Sequence, residues 1–452
     1  NIVVVVSLIF LTNICGASNW LAVKDSSLLI SEGSPLDFSS LVGAGEAGVN
    51  GKLIINDRGH FAFENKPFES QRFLCASTGF SNITGGYPSH SMADLYAKQL
   101  KIHGYNLVRI YSIETHLMTD QENDFSYNEE QLDRFYYFLA ALKREGIYWL
   151  INTSTSDNGA YGNVKPNPWV NLFDFRLNLY IDSSSREHWK EIINTLYNRI
   201  NPYTKRTILQ DSALFGLILV NENGLNFLQR DSVSDSISKD FNIWLAKKYH
   251  TTENLKSHLG AELKKTESIE NHTVSTPRHT RDSSIRLRVF QEYIIDKEHE
   301  LVNWQSSYLR TIDYDGLISG LDNWTSLTAS KSRSQFKWID MHSYHDENFS
   351  FQKGAEIRQT SSLSNGVRYF RNLAASSERK KPFTVSEYGQ PFWNKFRYET
   401  GLVLPSYAAF QDWDMICNHS QGAIDLSYSY PQYAKRKQSL HPYNNGLDPV
   451  LR

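Results

Sequence analysis

Eight short apolar runs alternate with longer amphipathic stretches along this chain of 452 residues, and that alternation restricts the fold more than any other feature. The runs are Arg72 to Ala76, Leu107 to Tyr111, Ile147 to Ile151, Leu214 to Val220, Leu317 to Leu321, Trp338 to His342, Phe383 to Ser386 and Ala423 to Leu426. Between them, helical segments are expected at Ser91 to His103, Glu129 to Glu145, Ser185 to Tyr197, Ser238 to Tyr249, Ser284 to Thr311 and Ser406 to His419. Leu132, Phe135, Leu139 and Leu142 recur at the interval that lines one helix face. Strands that alternate with helices run parallel. Eight such units close a (β/α)8 TIM barrel, an α/β fold. A doubly wound sheet would carry a glycine-rich phosphate turn after its first strand, and the sequence has none.

Ahead of the first run, Lys52-Leu-Ile-Ile-Asn and His60-Phe-Ala-Phe-Glu flank the turn residues Asp57-Arg-Gly, the pattern of a β-hairpin. The chain accordingly divides into a partial signal peptide (1–17), an N-terminal hairpin segment packed on the barrel (18–70), the catalytic barrel (71–435) and a C-terminal extension (436–452), truncated or genuinely short. The polar stretch Lys264 to Asp282 reads as a mobile excursion between units four and five. No internal repeat or low-complexity tract is present.

The apolar run Ile2 to Leu11, with small residues before a cut after Ala17, has the form of a secretory signal. With no initiating Met, the sequence is expected to begin inside its precursor. No other run approaches membrane-spanning length. Six Asn-x-Ser/Thr sequons, at Asn82, Asn152, Asn271, Asn323, Asn348 and Asn418, fit a secreted glycoprotein. Asn152 and Asn323 fall near strand ends, where a glycan would obstruct the barrel mouth, and are expected to be bare. After signal cleavage Cys75 and Cys417 remain, either paired or as two buried thiols. A formal net charge of -2 without a long single-sign run argues against nucleic acid or an anionic membrane as partner.

Active groups of such a barrel sit at the C-terminal ends of its strands. Run two ends in Arg109, Tyr111 and Glu114, followed by His116. Run four ends in Asn221-Glu222-Asn223, run six in His342-Ser-Tyr344-His345-Asp346, and run seven in Glu387-Tyr388-Gly389-Gln390. Glu222 and Glu387 therefore face each other across one mouth, as glycoside cleavage requires: one acid protonates the leaving oxygen and one carboxylate attacks or activates water. A raised pKa suits the acid; a neighbouring Arg109 keeps the nucleophile ionised. Trp324, Trp393 and Tyr111 follow strands five, seven and two, where they are expected to meet the sugar. Tyr388 points away by strand alternation. His342, His345 and Asp346 lack the distant anchor of a zinc site, so no metal is expected, and no cofactor is implied.

Asn-Glu after strand four, His-x-Tyr at strand six and Ser-Glu-Tyr-Gly at strand seven resemble the clan A glycoside hydrolases, which include the family 5 cellulases and mannanases and the family 42 β-galactosidases. Arg72-Phe-Leu, Asn106-Leu-Val-Arg, Leu142-Lys-Arg-Glu-Gly-Ile-Tyr, Val220-Asn-Glu-Asn, Lys381-Pro-Phe-Thr-Val-Ser-Glu-Tyr-Gly-Gln-Pro-Phe and Phe410-Gln-Asp-Trp-Asp are similar to a cellulase-like group of that clan. The resemblance covers roughly residues 25 to 450. It implies a retaining hydrolase of β-linked sugars with Glu222 as acid/base and Glu387 as nucleophile. Asn221 would bind the sugar 2-hydroxyl, and Arg109, His342 and Tyr344 would surround the nucleophile. Many clan members floor the sugar with a Trp after strand eight; this chain offers Tyr428 and Tyr430. A transglycosylase on the same glutamates and a non-catalytic carbohydrate-binding glycoprotein are the competing readings.

Overall fold

The computed structural model describes residues 24–80, 86–118, 121, 123, 125–155, 174–323, 327–346, 356–420, 422–427, 443, 445–446, 448 and 450–451. The expected signal sequence, Asn82, Trp324, Asn348, Tyr428 and Tyr430 lie outside the described residues.

A hairpin of β1 (Leu53–Ile55) and β2 (Phe61–Phe63) precedes eight parallel strands. These are β3 (Phe73–Thr78), β4 (Leu107–Ile110), β5 (Tyr148–Asn152), β6 (Leu214–Ile218), β7 (Ile318–Ser319), β8 (Ile339–Tyr344), β9 (Phe383–Gly389) and β10 (Met415–Asn418). Ladders join them in the order β7-β6-β5-β4-β3-β10-β9-β8. Two hydrogen bonds cross the remaining seam: Ser319 Oγ donates to the Trp338 carbonyl at 3.0 Å, and His342 N–H to the Asp322 carbonyl at 2.5 Å. The sheet is thus a nearly closed (β/α)8 barrel, as its sequence predicts.

Helices wrap the sheet where spacing and capping agree. Over Glu129–Arg144, Asn128 accepts from Gln131 N, acids open the first turn and Lys143 and Arg144 close the last. The face formed by Leu132, Phe135, Leu139 and Leu142 is buried. Among the described residues, no helix is long and apolar enough to cross a membrane.

The hairpin stoppers the end of the barrel at which the strands begin. Phe61, fully buried, meets Phe73, Phe215 and Trp338 edge-on at centroid separations of 6.2, 4.8 and 5.9 Å. Phe73 and Phe215 lie at the start of β3 and β6 and Trp338 just before β8, so they line the floor. Gly59 makes the turn: its φ is +84°, and a Cβ there would meet the Lys380 backbone at 2.5 Å.

Three expectations fail. The eighth strand is Met415–Asn418 rather than Ala423 to Leu426, and the last helix is Glu399–Phe410 rather than Ser406 to His419. Left-handed Asp412 (φ +59°) turns the chain immediately before β10. A four-residue strand with alternating burial is too short to break a helical reading, whereas Ile424 and Leu426 are apolar because they fill core from a loop. The stretch 264–282 is no loose excursion either. Ile269 and Val274 are buried in it, and Glu267, 5% exposed, pairs with Arg286 at 2.9 Å. Cys75 and Cys417 stand directly opposite each other on β3 and β10 as buried free thiols.

Candidate active site

The mouth is assembled from strand ends whose register brings distant residues together. A register shift after Met341 sets His342 on β8 beside Glu387 on β9, while Arg109 on β4 stands opposite Ser77 on β3. Inward-facing Arg109, fully buried, places Nη2 2.6 Å from Glu387 Oε1 and donates from the same nitrogen to Asn221 Oδ1 at 2.8 Å. Asn152 Nδ2 donates to that amide oxygen as well, at 3.0 Å. Tyr344 donates its hydroxyl to Glu387 Oε2. His342 Nδ1 lies 3.0 Å from Glu222 Oε1 and 3.6 Å from Glu387 Oε1. The donor atoms of Glu222, His342 and Glu387 all fall within 4.8 Å of one another.

The two carboxylates differ in environment. Glu387 has 9% of its side chain exposed and Glu222 has 23%. Burial would raise the Glu387 pKa, but His342, Arg109 and His419 outweigh it and hold the carboxyl far below its usual range. Burial would likewise discharge His342, yet Glu387, Asp322 and Glu222 around it raise its pKa to about 10. Its Nε2 donates to Ser386 Oγ at 2.9 Å, and the Ser386 hydroxyl donates in turn to Asp340, which is fully buried. Within the trio His342 Nδ1 lies between the two carboxylates, and Arg109 pairs with Glu387.

The imidazolium makes a pH prediction. Because the folded pKa of His342 lies above its ordinary 6.5, the stability it contributes is whole below pH 6.5 and is lost as pH rises to about 10. Nitrogen NMR of labelled histidine should find one ring titrating near 10, a resonance missing from the His342→Gln variant. A His342 ring that titrates near 6.5 contradicts this charge arrangement.

Other expected residues meet different fates. Tyr111 reaches the rim: its hydroxyl donates to the Ser420 carbonyl at 3.2 Å, and its ring lies 5.3 Å from His419. Trp393, 42% exposed, stands past β9 with no described contact to either glutamate. Glu114 turns inward and accepts from Thr155 N. His345 and Asp346 bind the loop carrying Thr360 and Arg358 rather than a shared centre. Tyr388 packs outside the barrel with Phe370 and Leu404. Sequon residues Asn152 and Asn323 are buried, at 0% and 4% exposure, while Asn271 is exposed.

The roles of four residues escaped the sequence reading. Asp322 and Asn323 close the fifth apolar run just as Asn221-Glu222 closes the fourth, a signal that was there to be read. Asp340 is a lone charge inside an apolar run. His419 follows β10, the strand misplaced by eight residues. Its Nδ1 sits 3.7 Å from Glu387 Oε2, its ring meets Tyr344 and Tyr443, and burial lowers its pKa to about 4.

Known structures share this architecture. A β-galactosidase from Bacillus circulans sp. alkalophilus superposes with a TM-score of 0.51 at 14% identity, covering 84% of this chain and 53% of its own. The likeness is one of fold. An endo-1,4-β-mannanase from Rhizomucor miehei gives a TM-score of 0.48 at 15% identity, over 81% of this chain and 90% of its own. An endo-β-1,4-mannanase from Thermotoga petrophila gives 0.49 at 14%, over 85% and 75%. No protein-family profile matches the sequence, and no curated protein does.

Proposed function

We propose that this chain is a secreted retaining glycoside hydrolase that cleaves β-linked sugars by double displacement. One observation carries the reading: two carboxylates from different strands, Glu222 and Glu387, approach within 4.8 Å at the rim of the barrel. Retaining enzymes hold their carboxyl groups about 5–5.5 Å apart, whereas inverting enzymes leave about 6.5–9.5 Å for a water.

Their environments support distinct roles. Glu387, enclosed and kept ionised by Arg109 and His342, attacks the anomeric carbon. Glu222, the more open of the two, protonates the departing glycosidic oxygen. It then takes a proton from water as that water releases the sugar from Glu387. Asn221, oriented by Arg109 and Asn152, is the group for the sugar 2-hydroxyl. A shared barrel fold alone would not establish activity; the paired carboxylates supply the argument. Asn152 and Asn323 are buried, so neither sequon would carry a glycan at the mouth.

Hydrolysis of β-mannan, β-1,4-glucan and β-galactan oligosaccharides tests the proposal. The wild-type chain should release reducing ends from at least one of them. The Glu222→Gln variant should release none while retaining the wild-type circular dichroism spectrum. Full activity in that variant contradicts the assignment.

A further inference from the structure

Glu222 has a backbone that glutamate does not adopt freely. Its φ is +49°, in the left-handed region where a Cβ crowds the adjacent carbonyl. Such a conformation persists only where its surroundings over-determine it. Here they do so from both sides of the residue. The Glu222 N–H donates to Asp322 Oδ1 at 2.8 Å, and the Glu222 carbonyl accepts from Asn323 Nδ2 at 3.1 Å. Both clamping side chains close the fifth barrel strand, buried to 0% and 4% exposure. Two positions further, a Cβ on Gly224 would approach Asn323 Oδ1 at 3.2 Å, so the loop lies tight against the clamp. Leu225 N is anchored in turn on buried Glu298, at 2.8 Å.

Asp322 also reaches the second partner of Glu222. Its Oδ2 lies 3.4 Å from His342 Nε2, and its own carbonyl accepts the His342 N–H. One residue therefore touches both the peptide that carries Glu222 and the ring that hydrogen-bonds the Glu222 carboxylate.

We infer that Asp322 and Asn323 are positioning residues that hold Glu222 in its proton-donating pose by clamping both backbone polar atoms of its left-handed peptide. The inference rests on the two-glutamate reading above. Without the clamp, Glu222 relaxes toward the ordinary right-handed region and its side chain swings off the line to the leaving oxygen. Arg109 and Tyr344 fix the Glu387 carboxylate directly, and Asn323 touches the Glu222 peptide, so loss of Asn323 is specific to proton donation, whereas loss of Asp322 also removes a partner of His342.

Leaving-group dependence isolates that step. A 2,4-dinitrophenyl glycoside departs without a proton, whereas a phenyl glycoside needs one. The experiment compares kcat/KM on phenyl and 2,4-dinitrophenyl β-D-mannosides, β-D-glucosides and β-D-galactosides for the wild type, Asn323→Ala, Asp322→Ala and Asp322→Asn. Asn323→Ala and Asp322→Ala should each lose about tenfold or more on phenyl relative to dinitrophenyl substrate, part of the range that general acid catalysis spans. Asp322→Asn retains an oxygen acceptor for Glu222 N–H and should keep a ratio near that of the wild type. Should Asp322→Ala fail to fold by thermal denaturation, Asn323→Ala carries the test alone. Equal loss on both leaving groups, or none, overturns the inference while the two-glutamate reading stands. A wild type inert on every glycoside overturns that reading, and the clamp with it.

Discussion

Glu387→Gln is expected to lower kcat/KM on any β-glycoside the protein hydrolyses by on the order of 10⁴ or more, the scale of removing a covalent nucleophile. The amide keeps the shape of the carboxylate, and its one oxygen still accepts from Arg109 or from Tyr344, which donate to different oxygens of the wild-type carboxylate. It cannot form a glycosyl ester. The electrostatics sharpen the expectation, because what the wild-type site does to Glu387 is hold it ionised against its burial. A depressed carboxylate contributes stability that is whole above its ordinary pKa and is lost as pH falls below that value. Glu387→Gln should therefore flatten the acid side of the stability profile as well as stop turnover. Reducing-end assays and urea denaturation from pH 7 downward check the two effects together. A Glu387→Gln enzyme within tenfold of the wild type removes Glu387 from the chemistry.

Arg109→Met should be the most damaging change to stability in the mouth. Arg109 is fully buried, and its one nitrogen joins the carboxylate of Glu387 to the amide of Asn221. Removing one member of a buried ion pair costs about 3–5 kcal/mol, because the remaining charge is stranded out of water. The same loss loosens Glu387 and lets its pKa climb, so activity falls too, by about 10²–10³ if the guanidinium acts as other fixed charge-stabilising donors do. Arg109→Lys keeps the charge and a nitrogen with donors for both partners, so it should recover part of each effect that Arg109→Met loses. Urea midpoints and kcat/KM measured on the same preparations test this. Arg109→Met with wild-type stability would show that the pair is a spectator.

The barrel was legible because seven of its strands are apolar runs bounded by polar turns, and burial on both faces leaves little else for them to be. Glu222 and Glu387 were legible for a related reason: a carboxylate directly after a buried run lies at the rim. The eighth strand was not, since Met415–Asn418 is shorter than one helical repeat pattern can exclude, and that error carried His419 out of view. Asp340 was hidden differently. It is charged and fully buried, and only the partners Ser386 and Thr384 on the next strand account for it. Pairing between strands is set by register, and the shift after Met341 that brings His342 beside Glu387 leaves no mark in either segment alone.

The most direct test of the two-glutamate account is to trap the covalent intermediate. Incubation with 2,4-dinitrophenyl 2-deoxy-2-fluoro-β-glycosides, followed by peptide mass spectrometry, should find one fluoroglycosyl group esterified to Glu387, and none in Glu387→Gln. A label on any other residue, or rapid turnover of natural β-glycosides with inversion at the anomeric carbon, would contradict it.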